Sequence, residues 1–381
     1  MSNIYVIGVG MTPFGKFAER TPDEMGQEAV VAALADAGIG INQVQAAFCG
    51  HVFQGMSLGQ RILAPLGARG MPVTNVENAC CSGSTALHSA VRLLRSGEAD
   101  CALAIGAESL TGRFAGALSG DDSDLETMLG MTMPAVYAMR AQRYLDEYGA
   151  SRGQLAAVVV KNKANAVRNP LAQFKKEVSL EQVVGSRPIA SPLHMLDCCP
   201  VSDGAAAVVL CTDAALARLG GQRRAVRLSA SVLLSGEFDN APTDMTFETL
   251  TRRAAEAAWA QAGAGPGDID FAEVHDCFSI AEATRVEGLG LFEKGTYLGA
   301  VERGEASPDG RLPVNTSGGL LGKGHPLGAT GIAQVVELTT QIRGEAGTRQ
   351  LGRARVGVAH CRGGKAVGVE GTACTVHVLG S

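Results

Sequence analysis

Apolar strand-like runs and well-marked helices alternate along this chain, stop, and then alternate again. IYVIGVG (Ile4–Gly10) is short, apolar and closed by glycines, as a buried strand should be. In TPDEMGQEAVVAALADAG, Thr21 and Glu24 form a capping box, Pro22 takes the first helical position and Gly38 ends the helix. Strand-like AAFCGHVF (Ala46–Phe53), a helix from about Ser84 to Arg95 and strand DCALAIGAES follow. This order implies a parallel or mixed sheet covered by helices. From about Gly112 to Cys199 the rhythm lapses. A helix, AVYAMRAQRYLDEYG, is set there among polar, Gly/Pro-marked stretches such as RNPLAQF, which reads as a loop-rich insertion. SDGAAAVVLCT (Ser202–Thr212) returns to the sheet.

After about Arg224 the alternation resumes with strand AVRLSASVLL, helix TLTRRAAEAAWAQAG and strand DIDFAEVHD. Helix SIAEATRVEGLG follows, with Ser279 and Glu282 as a second capping box, then helix GATGIAQVVELTTQIRG and strand ARVGVAHC. The halves, 1–224 and 225–381, repeat an order of elements rather than a sequence. Cys80, just before one helix, occupies the place that GKGHPLG holds before its counterpart.

Composition removes several classes of function. With 46% apolar and 19% charged residues the chain is a folded globular protein of two to three domain-sized units. Net charge is −5 and no Lys/Arg block stands out, so the footprint of a nucleic-acid binder is missing. The ten cysteines include no C-x-x-C pair, which disfavours zinc ribbons and secreted disulfide scaffolds. Neither a basic leader, nor an apolar run of membrane-spanning length, nor a terminal Ser-Lys-Leu address is present, so a soluble cytoplasmic protein is expected.

Three segments carry chemistry. In VENACCSGSTAL, Cys80 lies ahead of a helix start, where N–H groups and the positive dipole end favour a thiolate; neighbouring Cys81 reads as packing. In NTSGGLLGKGHPLGAT, His325 is pinned in a Gly-rich turn, a good place for a general base, though a turn histidine bonded to backbone fits as well. Lys323 does not make this a phosphate loop, because Ser317 replaces the first Gly and Gly324 the required Ser/Thr. EVHDCFS places His275 and Cys277 at a strand end, where ligands gather in α/β sheets, although each alone reads as core packing. GVG at Gly8–Gly10 lacks a third Gly and is followed by Pro13, so it is no dinucleotide site. Thiols and histidines converging from junctions of a duplicated α/β chain point to covalent acyl transfer.

NACCSG, HDCF, GKGHPLGATG and DCCPVSDGAAAV together resemble a thiolase, specifically the sterol-carrier-protein type with HDCF in place of Asn-Glu-Ala-Phe. The resemblance runs from Ile4 to about Leu379 and implies two similar five-stranded mixed sheets, of βαβαβαββ halves, in a layered α/β/α/β/α sandwich. It also implies a dimer or tetramer, and thiolytic cleavage of a 3-ketoacyl-CoA, or the reverse condensation, as in β-oxidation and lipid metabolism. Coenzyme A enters as substrate, and no metal or redox cofactor is needed.

By resemblance Cys80 is the nucleophile and His325 its base, which also helps bind the thioester oxygen. His275 helps hold the first oxyanion site, the Cys80 N–H contributes to the second, and Cys277 moves the α-carbon proton. AHCRGGKAVGVEGTAC departs from the family, so Cys361 is a second candidate for that acid/base, and Gly363, Gly364 or Gly371 for the oxyanion donor. Cys198, Cys199 and Asp203 match family positions and read as structural. Competing readings are a carrier-protein condensing synthase, a thiolase or retro-aldolase subunit with a small zinc-ribbon/oligonucleotide-fold partner in aromatic or steroid degradation, and a non-catalytic lipid-binding scaffold.

Overall fold

A computed structural model describes residues 2–114, 125–219, 224–238, 244–365 and 368–381. The alternating segments form β1 (Ile4–Met11), β2 (Ala46–Gly50), β3 (Val73–Val76) and β4 (Cys101–Glu108). A small hairpin, β5 (Pro188–Ala190) and β6 (Leu193–His194), lies in the insertion, part of which falls outside the described residues. β7 (Gly204–Thr212), β8 (Val226–Ser235), β9 (Phe271–Val274), β10 (Val356–Gly363) and β11 (Ala373–Gly380) complete the set.

The sheet is continuous, in the order β3-β2-β4-β7-β1-β8-β11-β10-β9. Two five-stranded sheets were expected. Instead β1 pairs antiparallel with both β7 and β8, and the short Ile4–Val6 to Val226–Leu228 ladder fuses the halves. Among the described residues the second half contributes four strands, and its fifth place shrinks to a bridge between Ala272 and Val314. Pro313 brings no N–H to that edge, and Asn315, at φ +56°, turns the chain away. β2 ends at Gly50 rather than Phe53, because the Val52 and Phe53 N–H groups bond to the Glu108 carboxylate instead of a strand.

The layers follow from strand periodicity. On β4 and β7, Ala102, Ala104, Ala206, Val208 and Leu210 face the central helices. Their neighbours Leu103, Ile105, Ala205, Ala207 and Val209 pack on the outer helix Pro22–Ala37. Between the layers run helices Ser82–Ser96 and Leu327–Ile342. Fourteen of the sixteen residues of Leu327–Ile342 are buried, as a helix covered on all sides requires. On the far side, Thr249–Ala262 covers Ala230, Val232, Val376 and Val378. The Thr21–Glu24 box forms as read. The one expected at Ser279 and Glu282 does not. Ser279 Oγ instead donates to Asp197, and Glu282 is buried against Lys161 (3.1 Å), so tertiary partners have taken both groups.

Candidate active site

Cys80 lies on the tight turn between β3 and helix Ser82–Ser96, and His325 just before helix Leu327–Ile342. The turn closes with Cys81 N–H to Asn78 O (2.9 Å) and Ser82 N–H to Ala79 O (3.0 Å), and it holds Ala79 at φ +48°. Such a left-handed alanine is strained, and the surrounding bonds hold it there. The two helix starts touch through glycine: a Cβ on Gly83 would stand 2.2 Å from the Gly328 carbonyl oxygen. A larger residue would drive Cys80 and His325 apart.

His275 emerges directly from the end of β9. The Cys80 sulfur and a ring nitrogen from each of His275 and His325 all lie within 4.8 Å of one another. The imidazoles cross edge-to-face, with centroids 4.9 Å apart. Residues from two sequence halves thus converge on one sulfur.

The hydrogen bonds fix the tautomer of His325. Thr330 Oγ1 donates to the Pro326 carbonyl (2.9 Å), so toward His325 Nδ1 (2.7 Å) it can only accept. The proton therefore sits on Nδ1, and Nε2 carries a lone pair. Nε2 is buried and has no partner. Burial holds the ring's pKa down at about 3, so it is neutral at physiological pH. The backbone is pinned too, with His325 N–H donating to Ser202 Oγ (2.9 Å) and Gly328 N–H to Glu108 (2.9 Å). His325 is built as an acceptor.

The surroundings of Cys80 favour the thiol, whereas its helix-start position alone would favour the thiolate. Burial, with the nearby Cys277 and Cys81 sulfurs, pushes its thiol up to about 12. Helix Ser82–Ser96 begins two residues later, with Cys81 rather than Cys80 at its cap, so the dipole is not focused on this sulfur. The Gly364 N–H is aimed at the Cys80 sulfur and opposes the rise. Among the candidate glycines, Gly364 is the one whose amide faces the Cys80 sulfur. Gly363 packs against the Asn78 carbonyl, and Gly371 lies beside the Arg362 guanidinium.

The two candidate acid/base thiols occupy different places. Cys361 Sγ lies 3.1 Å from the Cys80 carbonyl oxygen and 3.3 Å from His275 Nδ1, beneath the Cys80 backbone. Burial and the Cys81 sulfur raise its thiol far above the ordinary value. Cys277 instead receives an N–H from Arg285 (3.6 Å) and borders the stacked rings of Phe278 and Tyr137 (4.5 Å). Cys199 donates its N–H to the Cys277 carbonyl, and Asp203 binds the N–H groups of Phe17, Leu110 and Thr111. Sequence reading passed over Thr330, Ser202 and Arg285. The only signal for the first two was their place inside GATG and PVSDG.

Known proteins resemble this chain along its whole length. Residues 4–214 match the thiolase N-terminal domain and residues 237–379 the thiolase C-terminal domain-like family. An acetyl-CoA acetyltransferase of Methanothermobacter thermautotrophicus is 42% identical, covering 100% of both chains. The benzoylsuccinyl-CoA thiolase subunit BbsB of Thauera aromatica is 41% identical, over 95% of this chain and 94% of that protein. Sterol carrier protein 2 of Gallus gallus is 39% identical over 94% of this chain and 69% of its own length. Among solved structures, the Ltp2-ChsH2(DUF35) aldolase superposes with a TM-score of 0.85 at 24% identity, covering 100% of this chain and 98% of that one. Human mitochondrial 3-ketoacyl-CoA thiolase does so with a TM-score of 0.75 at 19% identity, over 100% and 99%. The chain is an acyltransferase and belongs to the thiolase family.

Proposed function

We propose that this thiolase carries its acyl group on Cys80 and that His325 Nε2 takes the thiol proton. The supporting observation is the unpartnered, neutral Nε2 within 4.8 Å of the sulfur. A thiol near 12 is a poor nucleophile alone, so a base within reach is what the chemistry requires. In thiolysis the thiolate attacks the 3-keto carbon, the carbon–carbon bond next to it breaks, and its electron pair passes to the departing acetyl-CoA enolate. Cys277 protonates the enolate carbon. A second coenzyme A gives its thiol proton to the Cys277 thiolate and takes the acyl group from Cys80, whose departing sulfur recovers its proton from His325. The enolate oxygen needs donors, which His275 and His325 supply. The amides of Gly364 and Cys80 hold the oxyanion on the acyl-sulfur carbon. Losing one such donor costs about 3–4 kcal/mol in comparable sites.

Cys277 is preferred to Cys361 because Cys361 is committed to the Cys80 carbonyl and His275, whereas Cys277 stands off the nucleophile's backbone. The same reading makes the protein a dimer or tetramer of the cytoplasm, acting on coenzyme A thioesters without a resident cofactor. Ten free cysteines suit a reducing compartment, and among the described residues no helix is long and apolar enough to cross a membrane. A second reading gives the chain a small partner subunit. One relative is named as a subunit and one structural neighbour as a DUF35 complex. Retained Cys80 favours thiolysis over aldol cleavage within either reading. The deciding assay is coenzyme-A-dependent cleavage of short, long, steroid and aromatic 3-ketoacyl-CoAs by the purified chain. Cleavage by the chain alone supports the first reading. Activity that appears only with a co-purifying subunit supports the second.

A further inference from the structure

Three arginines are buried around one carboxylate beside Cys277. Arg140, Arg285 and Arg362 are 2%, 0% and 4% exposed, and Glu248 is 3% exposed. Glu248 lies 2.9 Å from Arg362 Nε and 3.4 Å from Arg140 Nη1. Among the described residues, Arg285 forms no ion pair. It donates to the His275 carbonyl, the Tyr137 hydroxyl and the Cys277 sulfur, and its Nε has no partner. Burial pushes the Tyr137 phenol up to about 12, so it stays neutral and offsets nothing. Among the described residues, three guanidinium groups stand against one carboxylate, which leaves two positive charges unbalanced. Uncompensated buried charge is among the costliest features a fold can keep.

Position decides which anion would relieve it. Arg285 Nη1 is 3.6 Å from the Cys277 sulfur. Arg362 follows Cys361 on β10 and donates to the carbonyl of Gly364 (3.2 Å), whose N–H points at Cys80. It also shares the Tyr137 hydroxyl with Arg285 (3.2 Å). Arg285 borders the Cys277 sulfur, Arg362 lies behind it through the shared Tyr137 hydroxyl, and both are closed off from solvent, so the anion has to arrive on the acyl chain rather than on the nucleotide end of coenzyme A. We propose that the substrate is an acyl-CoA whose acyl chain bears a second, free carboxylate, selected by Arg285 together with Arg362. This names the substrate class of the acyl-transfer site and rests on that reading.

The test compares kcat/KM for thiolysis of a 3-ketoacyl-CoA ending in a carboxylate with that of its primary-amide isostere. The wild type should prefer the carboxylate roughly ten- to a hundredfold, the range of one charge-assisted hydrogen bond. The preference should fall to near one in Arg285→Met and return in part in Arg285→Lys. Arg285→Met removes a surplus charge and so should fold; were it insoluble, the wild-type ratio decides alone. A wild-type ratio near one overturns the proposal. So does an equal loss on both substrates in Arg285→Met, which would mean that Arg285 acts only through Cys277. Acetyl transfer to Cys80 from acetyl-CoA is followed in parallel by mass spectrometry. An adduct without carboxylate preference sinks this inference alone, whereas no adduct sinks the reading beneath it.

Discussion

Substituting Thr330 by valine tests the basis of His325's reactivity with the loss of one oxygen. In the native site the hydroxyl spends its proton on the Pro326 carbonyl and must accept from Nδ1–H, which leaves Nε2 free to take a proton. Valine keeps the shape and removes the acceptor. The Nδ1–H is then buried without a partner, which costs about 1–3 kcal/mol. Moving the proton to Nε2 relieves that cost, but the resulting ring cannot deprotonate Cys80. The barrier to acyl transfer should rise by the same amount, slowing acylation of Cys80 roughly 5- to 150-fold. Thr330→Ser keeps the hydroxyl and should stay close to wild type. The assay is stopped-flow acylation by acetyl-CoA, with iodoacetamide alkylation of Cys80 as a second measure of deprotonation. Acylation by Thr330→Val within twofold of wild type would refute the tautomer argument.

Other consequences are equally direct. Cys277→Ala should abolish α-proton exchange of an acyl-CoA while Cys80 still acylates; loss of exchange only in Cys361→Ala would reverse the two assignments. Gly364→Ala adds a Cβ 3.2 Å from both the Ala79 Cβ and Thr372 Oγ1, at φ +43° where a side chain is strained. The displaced amide should lower kcat about 10²–10³-fold with little change in KM, and an unaltered kcat would remove Gly364 from the oxyanion site. Burial lowers His325, His360 and His377 to about 3 and His88 to about 4, and pushes His275 well below its usual value. The unfolded chain therefore binds protons below about pH 6.5 that the folded chain refuses. Stability should be intact above that pH and fall as pH drops toward 3, by up to about 1.4 kcal/mol per pH unit for each histidine. A urea midpoint that is flat from pH 7 to 4 would contradict this.

Local grammar made part of this molecule readable and tertiary competition hid the rest. The Thr21–Glu24 box is surface-exposed and meets no rival, so spacing alone specified it. Ser279 and Glu282 have the same spacing, but Asp197 and Lys161 lie close enough to claim them. Cys80 and His325 could be paired in advance because each precedes a helix in a repeated order. The glycine contact that brings the two starts together supplies the reason. For Cys80 a sequence position shows the nearby dipole but not the burial that pushes its thiol up to about 12, which exists only in the folded chain. Arg140, Arg285 and Arg362 come from an insertion helix, the helix after Cys277 and β10. No window of sequence contains them together, so the charge excess emerges only after folding.

The most direct measurement is intact-peptide mass spectrometry of the chain after brief exposure to acetyl-CoA. One acetyl group per chain should appear on the peptide holding Cys80, leave on addition of coenzyme A, and be absent from folded Cys80→Ser. No adduct there, or an equal adduct on Cys277 or Cys361 in that variant, would contradict the account.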